Sequence, residues 1–237
     1  MELEQLKKDE NTINTYRMNF RQKIMGVMFA PTRTINDLIH YPSFFYPIML
    51  IVFFSLSQSL VIMPFLIEMI NNDLVIPQGQ NPESVRKYVI TVAKVTSLIT
   101  GTFGSLIFCV FFAFILWCGG KLLARVNFEN YFTIALYGAM PKVIIGNTIS
   151  TIFVVISDGV ALKMQVTSLG TFLTKDGSNG FLFAFLNSID VFWIWFIIFI
   201  SIGSSKLLNV SFNKVAIPLF SLCTLYLLII SYIFAKS

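Results

Sequence analysis

The chain has 237 residues, of which 56% are hydrophobic and only 12% are charged, and it carries a net charge of +5. A soluble domain of this size could not bury so much apolar surface, so the composition excludes an ordinary soluble fold and indicates a membrane protein. An apolar stretch of about 20 residues matches the roughly 30 Å hydrocarbon core of a bilayer. Five such spans are predicted, at residues 44–66, 95–117, 131–156, 181–203 and 215–234. We therefore expect an all-α polytopic protein.

The predicted spans divide the chain into two parts. Residues 1–43 form an N-terminal arm at the membrane surface, and residues 44–237 form a transmembrane domain of five helices. Lys and Arg are more frequent in the arm and in the loops on its side of the membrane. Because retained loops carry the excess of basic residues, we expect the N-terminus inside and the C-terminus outside.

The arm contains a helical pattern of apolar residues at steps of three and four, which places them on one face. Arg17, Arg21 and Lys23 interrupt the pattern from the other sides. The pattern predicts an interfacial amphipathic helix whose three cations contact anionic lipid head groups. The alternative is a helix packed against the inner loops. The apolar face consists of Ile13, Tyr16, Phe20, Ile24 and Val27.

A second short helix is predicted at Pro31–His40, because a proline suits the first turn of a helix. Pro42 and Pro47 then lead the chain into the first span. His40 has no nearby cluster of metal-ligating residues, so no metal site is expected there. The cysteines offer no disulfide framework, since all of them fall inside or at the end of spans. They are Cys109, Cys118 and Cys223.

Pro141 lies deep inside the third span. A proline at that depth removes one backbone hydrogen bond and clashes with the preceding turn, so a helix kink is predicted near Tyr137. The kink is either a bend that shapes the bundle, or a hinge or cavity of the kind that recurs in transporters.

Lys142 and Asp190 are the ionisable residues placed deepest in the predicted spans. The third and fourth spans run antiparallel, so both residues come near the middle of the membrane. Since an isolated charge there costs roughly 2.5 to 3.5 kcal/mol, we predict that the two form a pair. Asn147, Asn187 and Tyr137 complete the predicted polar cluster. Alternatively, Asp190 caps local groups near a shorter fourth span, and Lys142 extends to an interface.

Four segments follow one another in a distinctive order along the chain. They are FAPTRTI at 29–35, YPSFFYP at 41–47, FENYFTIALYGAMP at 128–141, and DVFWIW at 190–195 followed by Gly203. In this order of features the chain resembles the Ypt/Rab-interacting protein (YIP) domain family, in its bacterial branch, over residues 26–235. The Asp-Leu-Tyr-Gly-Pro motif of eukaryotic members is missing here, so a Rab GTPase partner is not predicted. The resemblance implies five spans, a cytosolic N-terminus and no established enzymatic activity.

Catalytic motifs such as HExxH, GxSxG and a phosphate-binding loop are missing from the sequence. We therefore expect a protein that is not an enzyme, with no cofactor and no nucleic-acid partner. The leading interpretation is a membrane scaffold or accessory protein that organises membrane partners or lipids. The alternative is a transport component, either a small permease or an accessory subunit of an ABC-type exporter. The expected partners are the lipid bilayer and other integral membrane proteins, in a bacterial cytoplasmic membrane.

Overall fold

The computed structural model describes residues 17–76, 81–121, 124–163, 166–172 and 181–234. Within these ranges the chain forms helices and no β-strand. A π-helical segment, Pro141–Gly146, joins α5 to α6, and 3₁₀ turns occupy Val160–Lys163 and Leu169–Phe172. The α-helices are α1 (Phe20–Phe29), α2 (Pro31–His40), α3 (Phe45–Asp73), α4 (Pro82–Lys121), α5 (Phe128–Met140), α6 (Asn147–Ile156), α7 (Phe181–Ser188), α8 (Val191–Leu207) and α9 (Phe212–Phe234).

Among the described residues, four helical stretches are long and apolar enough to cross a membrane. They are α3, α4, the continuous stretch Phe128–Ile156 and the Phe212–Ile229 part of α9. This confirms the prediction of an all-α membrane protein. The apolar helix α8 is shorter, at 17 residues.

The predicted span at 181–203 is not one helix in the structure. It is divided into α7 and α8, and Asp190 between them has an extended backbone with φ −103° and ψ 136°. The Asp190 side chain accepts hydrogen bonds from the first backbone N–H groups of α8. An aspartate in this N-cap role favours the start of a new helix, which is why the chain breaks inside an apolar run.

The first two spanning helices are longer than predicted. α3 continues to Asp73 instead of ending near residue 66, and α4 begins at Pro82 instead of residue 95. The 40 residues of α4 correspond to about 60 Å, roughly twice the hydrocarbon thickness. A hydropathy pattern detects only the apolar part of such a helix. The polar start of α4 depends instead on Asn81, whose side chain accepts a hydrogen bond from the backbone N–H of Glu83 at 3.0 Å.

In the arm, α1 starts at Phe20 after a capping box in which the side chains of Asn19 and Gln22 bond each other's backbone N–H groups. Ile13 and Tyr16 of the predicted apolar face lie outside the described residues. The other members, Phe20, Ile24 and Val27, pack against the core of the bundle. α2 has the bounds that the sequence predicted.

The core lies where α5 and α8 cross, and small residues bring these two helices close together. A Cβ atom on Gly203 would lie 2.7 Å from Ile134, and one on Gly138 would lie 3.0 Å from Phe199. Phe196 also packs there and is fully buried. The contacts join the first half of the Phe128–Ile156 stretch to the second half of α8. Because the two helices run antiparallel, the middle of the stretch then lies beside the start of α8.

We expect Gly203→Ala to lower the stability of the bundle, because the new methyl group would overlap Ile134 in a tightly packed interface. Overpacking of this kind costs roughly 1–3 kcal/mol. The matched control is Gly119→Ala, since a Cβ at Gly119 meets nothing within 4 Å. Thermal unfolding in detergent micelles would measure both variants. Equal midpoints for the two would contradict the proposed close contact.

Candidate functional site

An ion pair joins Lys142 in the π-helical segment to Asp190 at the start of α8, through Lys142 Nζ and Asp190 Oδ2. Lys142 is the central residue of the 29-residue stretch Phe128–Ile156, about 21 Å from either end. The Lys142 side chain is 35% exposed, whereas the Asp190 side chain is 5% exposed. The two charges therefore meet deep in the bundle, with the acid enclosed and the base partly open.

The Asp190 carboxylate accepts hydrogen bonds at both oxygens. Oδ1 accepts from the backbone N–H of Phe192 at 2.7 Å and of Trp193 at 3.3 Å. Oδ2 accepts from Lys142 Nζ and from the Thr167 hydroxyl. Pairing and helix capping, which the sequence left as alternatives, occur together because each uses a different oxygen. Four donors compensate the loss of water around this charge.

The non-helical backbone beside Asp190 is also paired. Residues 166–169 lie against it, with the N–H of Leu169 donating to the carbonyl of Ile189 at 2.9 Å and the N–H of Val191 donating to the carbonyl of Thr167 at 3.4 Å. Irregular backbone at membrane depth is tolerated where protein buries it or a polar cavity adjoins it. The loop between α6 and α7 therefore supplies the partners that the broken helix lacks.

The Pro141 region contains a π-helical segment, which widens the helix and changes its hydrogen-bond register. A side chain from another helix supports this segment. Gln58 of α3 donates from Nε2 to the carbonyl of Val143 at 3.0 Å and to the hydroxyl of Thr148 at 3.2 Å. Gln58 was not among the predicted site residues. A polar amide in the middle of an apolar span was the signal that could have identified it.

The other members of the predicted polar cluster are not all beside the ion pair. Asn147 lines the same cavity as Lys142. Asn187 instead accepts a hydrogen bond from the Ser168 hydroxyl at 2.9 Å, in the loop that contacts Asp190. Tyr137 lies apart from this site, since its hydroxyl is 3.2 Å from the Ser43 hydroxyl near the arm.

The cavity beside Lys142 has a volume of about 280 Å³. Its walls come from α4, α5, the π-helical segment, α6 and α8, and they are mostly apolar, with Lys142, Asn147 and Ser105 as polar groups. In the described part of the chain, no group of three or more His, Cys, Asp or Glu residues could hold a metal ion. The cavity therefore places the charged Lys142 side chain beside mostly apolar walls.

A second buried ion pair lies within the arm and joins α1 to α2. Lys23 Nζ of α1 lies 2.8 Å from Asp37 Oδ2 of α2, and their side chains are 5% and 4% exposed. Asp37 also accepts from the backbone N–H of Met18 at 2.8 Å. Lys23 donates to the Tyr41 carbonyl at 3.2 Å and to the Ser43 hydroxyl at 3.3 Å, and Ser43 in turn contacts Tyr137.

This position of Lys23 differs from the predicted contact with lipid head groups. Lys23 is three residues after Phe20 and four before Val27, so it shares the face that packs on the bundle. That spacing was the signal that could have placed it there. Arg17 and Arg21 are exposed, and the Arg17 guanidinium lies 5.2 Å from the centre of the Tyr41 ring.

The spanning helices, the broken helix and the buried ion pairs define a polytopic, all-helical integral membrane protein. The chain matches the Yip1 domain over residues 25–234, and it therefore belongs to the Yip1 domain family. This confirms the resemblance to the YIP family. No curated protein and no solved structure matches the chain.

We expect Lys142→Met and Asp190→Asn to be strongly coupled. Lys142→Met leaves a buried carboxylate without its cation, which typically costs about 3–5 kcal/mol. Asp190→Asn keeps an oxygen for the cap of α8 but removes the charge. The double variant should lose much less stability than the sum of the single losses, as measured by unfolding in mixed micelles.

The matched control for Lys142→Met is Lys94→Met, at an exposed position of α4.

The double charge exchange, Lys142→Asp with Asp190→Lys, should recover only part of the stability that either single exchange loses. A lysine at 190 cannot accept hydrogen bonds from the N–H groups of Phe192 and Trp193. Additive losses in the double variant would show that the two side chains do not depend on each other.

We expect Lys23→Met to weaken the packing of the arm, because it leaves the Asp37 charge buried without its cation and removes the link from Lys23 through Ser43 to Tyr137. The loss should reach about 3–5 kcal/mol, while the exposed control Arg21→Met should stay within about 0.5 kcal/mol. Limited proteolysis of the arm and thermal unfolding would report both effects. Similar behaviour of the two variants would contradict a structural role for the buried pair.

Proposed function

We propose that this protein is a non-enzymatic membrane scaffold or accessory protein that organises membrane partners or lipids. The observation that supports this proposal most directly is the environment of the Asp190 side chain. Its side chain is almost fully enclosed, two of its donors belong to the start of α8, and Lys142 and Thr167 link it to two other segments. A carboxylate whose four donors all belong to the chain is suited to fixing the positions of helices and loops.

The second ion pair supports the same proposal. Lys23 and Asp37 hold α1 against α2 within the arm. The arm is linked to the bundle by Ser43, whose hydroxyl contacts Tyr137, and by Lys206 at the end of α8, which donates to Asn36 of α2 at 2.6 Å. The arm and the bundle then present one continuous surface, polar at the head groups and apolar in the hydrocarbon. Arg17 and Arg21 on the exposed side of the arm would contact anionic head groups.

The proposed topology has five crossings, with α7 and α8 together making the fourth. The contacts of α8 and α5 with the arm support a turn between α8 and α9 on the arm side, with α9 leading to the opposite side. With the predicted excess of basic residues on the arm side, the N-terminus is inside and the C-terminus outside a bacterial cytoplasmic membrane. The arm at 1–43 and the domain at 44–237 are the two parts of this arrangement.

A role as a transport component is the second candidate. The cavity of about 280 Å³ beside the partly exposed Lys142 favours it, as does the π-helical segment, since such segments are frequent at functional sites. In that case the chain would serve as a small permease or as an accessory subunit of an ABC-type exporter.

Purification from membranes in a mild detergent would separate these functions. We expect the protein to be recovered with bound lipid or with non-catalytic membrane partners, as shown by quantitative mass spectrometry of the purified sample. An unrelated membrane protein prepared in the same way is the control for background. A stoichiometric ATPase or exporter subunit would overturn the scaffold proposal in favour of transport.

A further inference from the structure

A long apolar groove lies on the bundle between α4, α8 and α9, with a volume of about 500 Å³. Leu219 and Cys223 form its buried floor, and Trp193 closes one wall. Exposed side chains such as Phe111 and Leu222 form its rim, so the groove opens to the outside of the bundle. Because the groove lies on spanning helices, the medium outside it is lipid hydrocarbon.

The depth of the groove can be estimated along both flanking helices. On α4, the lining residues Ile115 and Phe108 lie about 9 and 20 Å from the end at Lys121. On α9, Leu219 and Tyr226 lie about 10 and 21 Å from the start at Phe212. Both ends belong to the arm side of the bundle. The groove therefore begins in the arm-side leaflet, whose hydrocarbon is about 15 Å thick, and extends a few ångströms past the middle of the membrane.

The arm-side ends of the two flanking helices are basic. Lys121 is the last residue of α4 and Lys214 is the third residue of α9, and both are exposed. The Lys121 ammonium lies 4.1 Å from the centre of the Trp117 ring, a cation–π contact that keeps it at the helix end. The groove thus combines an apolar channel at acyl-chain depth with positive charge at head-group level.

We propose that an anionic phospholipid of the arm-side leaflet binds here, with an acyl chain in the groove and its phosphate near Lys121 and Lys214. This inference rests on the proposed organising function and names the class of lipid and its place on the bundle. The apolar lining and its depth favour hydrocarbon as the occupant. The flanking lysines favour an anionic head group over a zwitterionic one.

Quenching of Trp193 fluorescence by brominated acyl chains tests this proposal. Trp117→Phe and Trp195→Phe leave Trp193 as the single tryptophan of the sequence, and the phenylalanine ring at 117 keeps an aromatic partner for Lys121. The full-length protein in detergent micelles is titrated with dibrominated phosphatidylglycerol or dibrominated phosphatidylcholine. We expect half-maximal quenching at a lower concentration of phosphatidylglycerol. Lys121→Gln and Lys214→Gln should each reduce this preference about fivefold.

Matched variants distinguish lipid binding in the groove from general contact between the helices and lipid. Cys223→Phe places a ring in the groove and should reduce quenching by both lipids, whereas Leu225→Phe, exposed on the same helix outside the groove, should not. Lys87→Gln and Lys94→Gln near the opposite end of α4 should leave the preference unchanged. If Cys223→Phe is not monodisperse, the lysine variants decide the question.

Equal quenching by the two lipids, or a preference that survives both lysine changes, would overturn the proposal. A groove filled by a second copy of the chain would appear as a dimer mass without quenching, and it would also overturn the proposal. These outcomes are independent of co-purification with an exporter ATPase, which concerns the scaffold function itself.

Discussion

The carboxylate of Asp190 can exist inside this bundle only because donors surround it. Burial of a charge in an apolar medium carries a large desolvation cost, and here the cost is offset by two backbone N–H groups, a hydroxyl and an ammonium. Those donors belong to α8, to the loop before α7 and to the π-helical segment. One acidic side chain thereby determines where α8 starts, where the loop lies and which way Lys142 points.

The arm depends on the same principle at the membrane surface. Lys23 and Asp37 are each enclosed, and the Ser43 and Tyr137 hydroxyls extend their network into α5. An apolar helix face alone would allow α1 to shift along the bundle, or to leave the bundle and lie in the membrane interface. A buried pair with fixed partners requires one position, so the arm is part of the folded bundle as well as a lipid-facing element. Met25 and Phe29 of α1 remain exposed, and Phe29 is 79% exposed.

Hydropathy was sufficient to identify the class of protein and four long apolar helices, because these depend on the total apolar length. The depth argument also selected Lys142 and Asp190, which the structure brings into contact. Hydropathy could not show the break at Asp190, since the flanking residues are apolar on both sides and the cap depends on local geometry. It could not identify the partner of Lys23 either: the spacing of Lys23 from Phe20 and Val27 indicates the packed face, but the ion pair depends on Asp37, a residue of another helix.

The break between α7 and α8 has a consequence for synthesis of the chain. Lys142 and Asp190 are 48 residues apart in sequence, so at about 5–20 residues per second Lys142 emerges from the ribosome several seconds before its partner. During that interval its charge must stay near water or near the insertion machinery. The eight residues of α7 are too short to cross the hydrocarbon. The charge of Lys142 therefore meets its partner only after the start of α8 has been made.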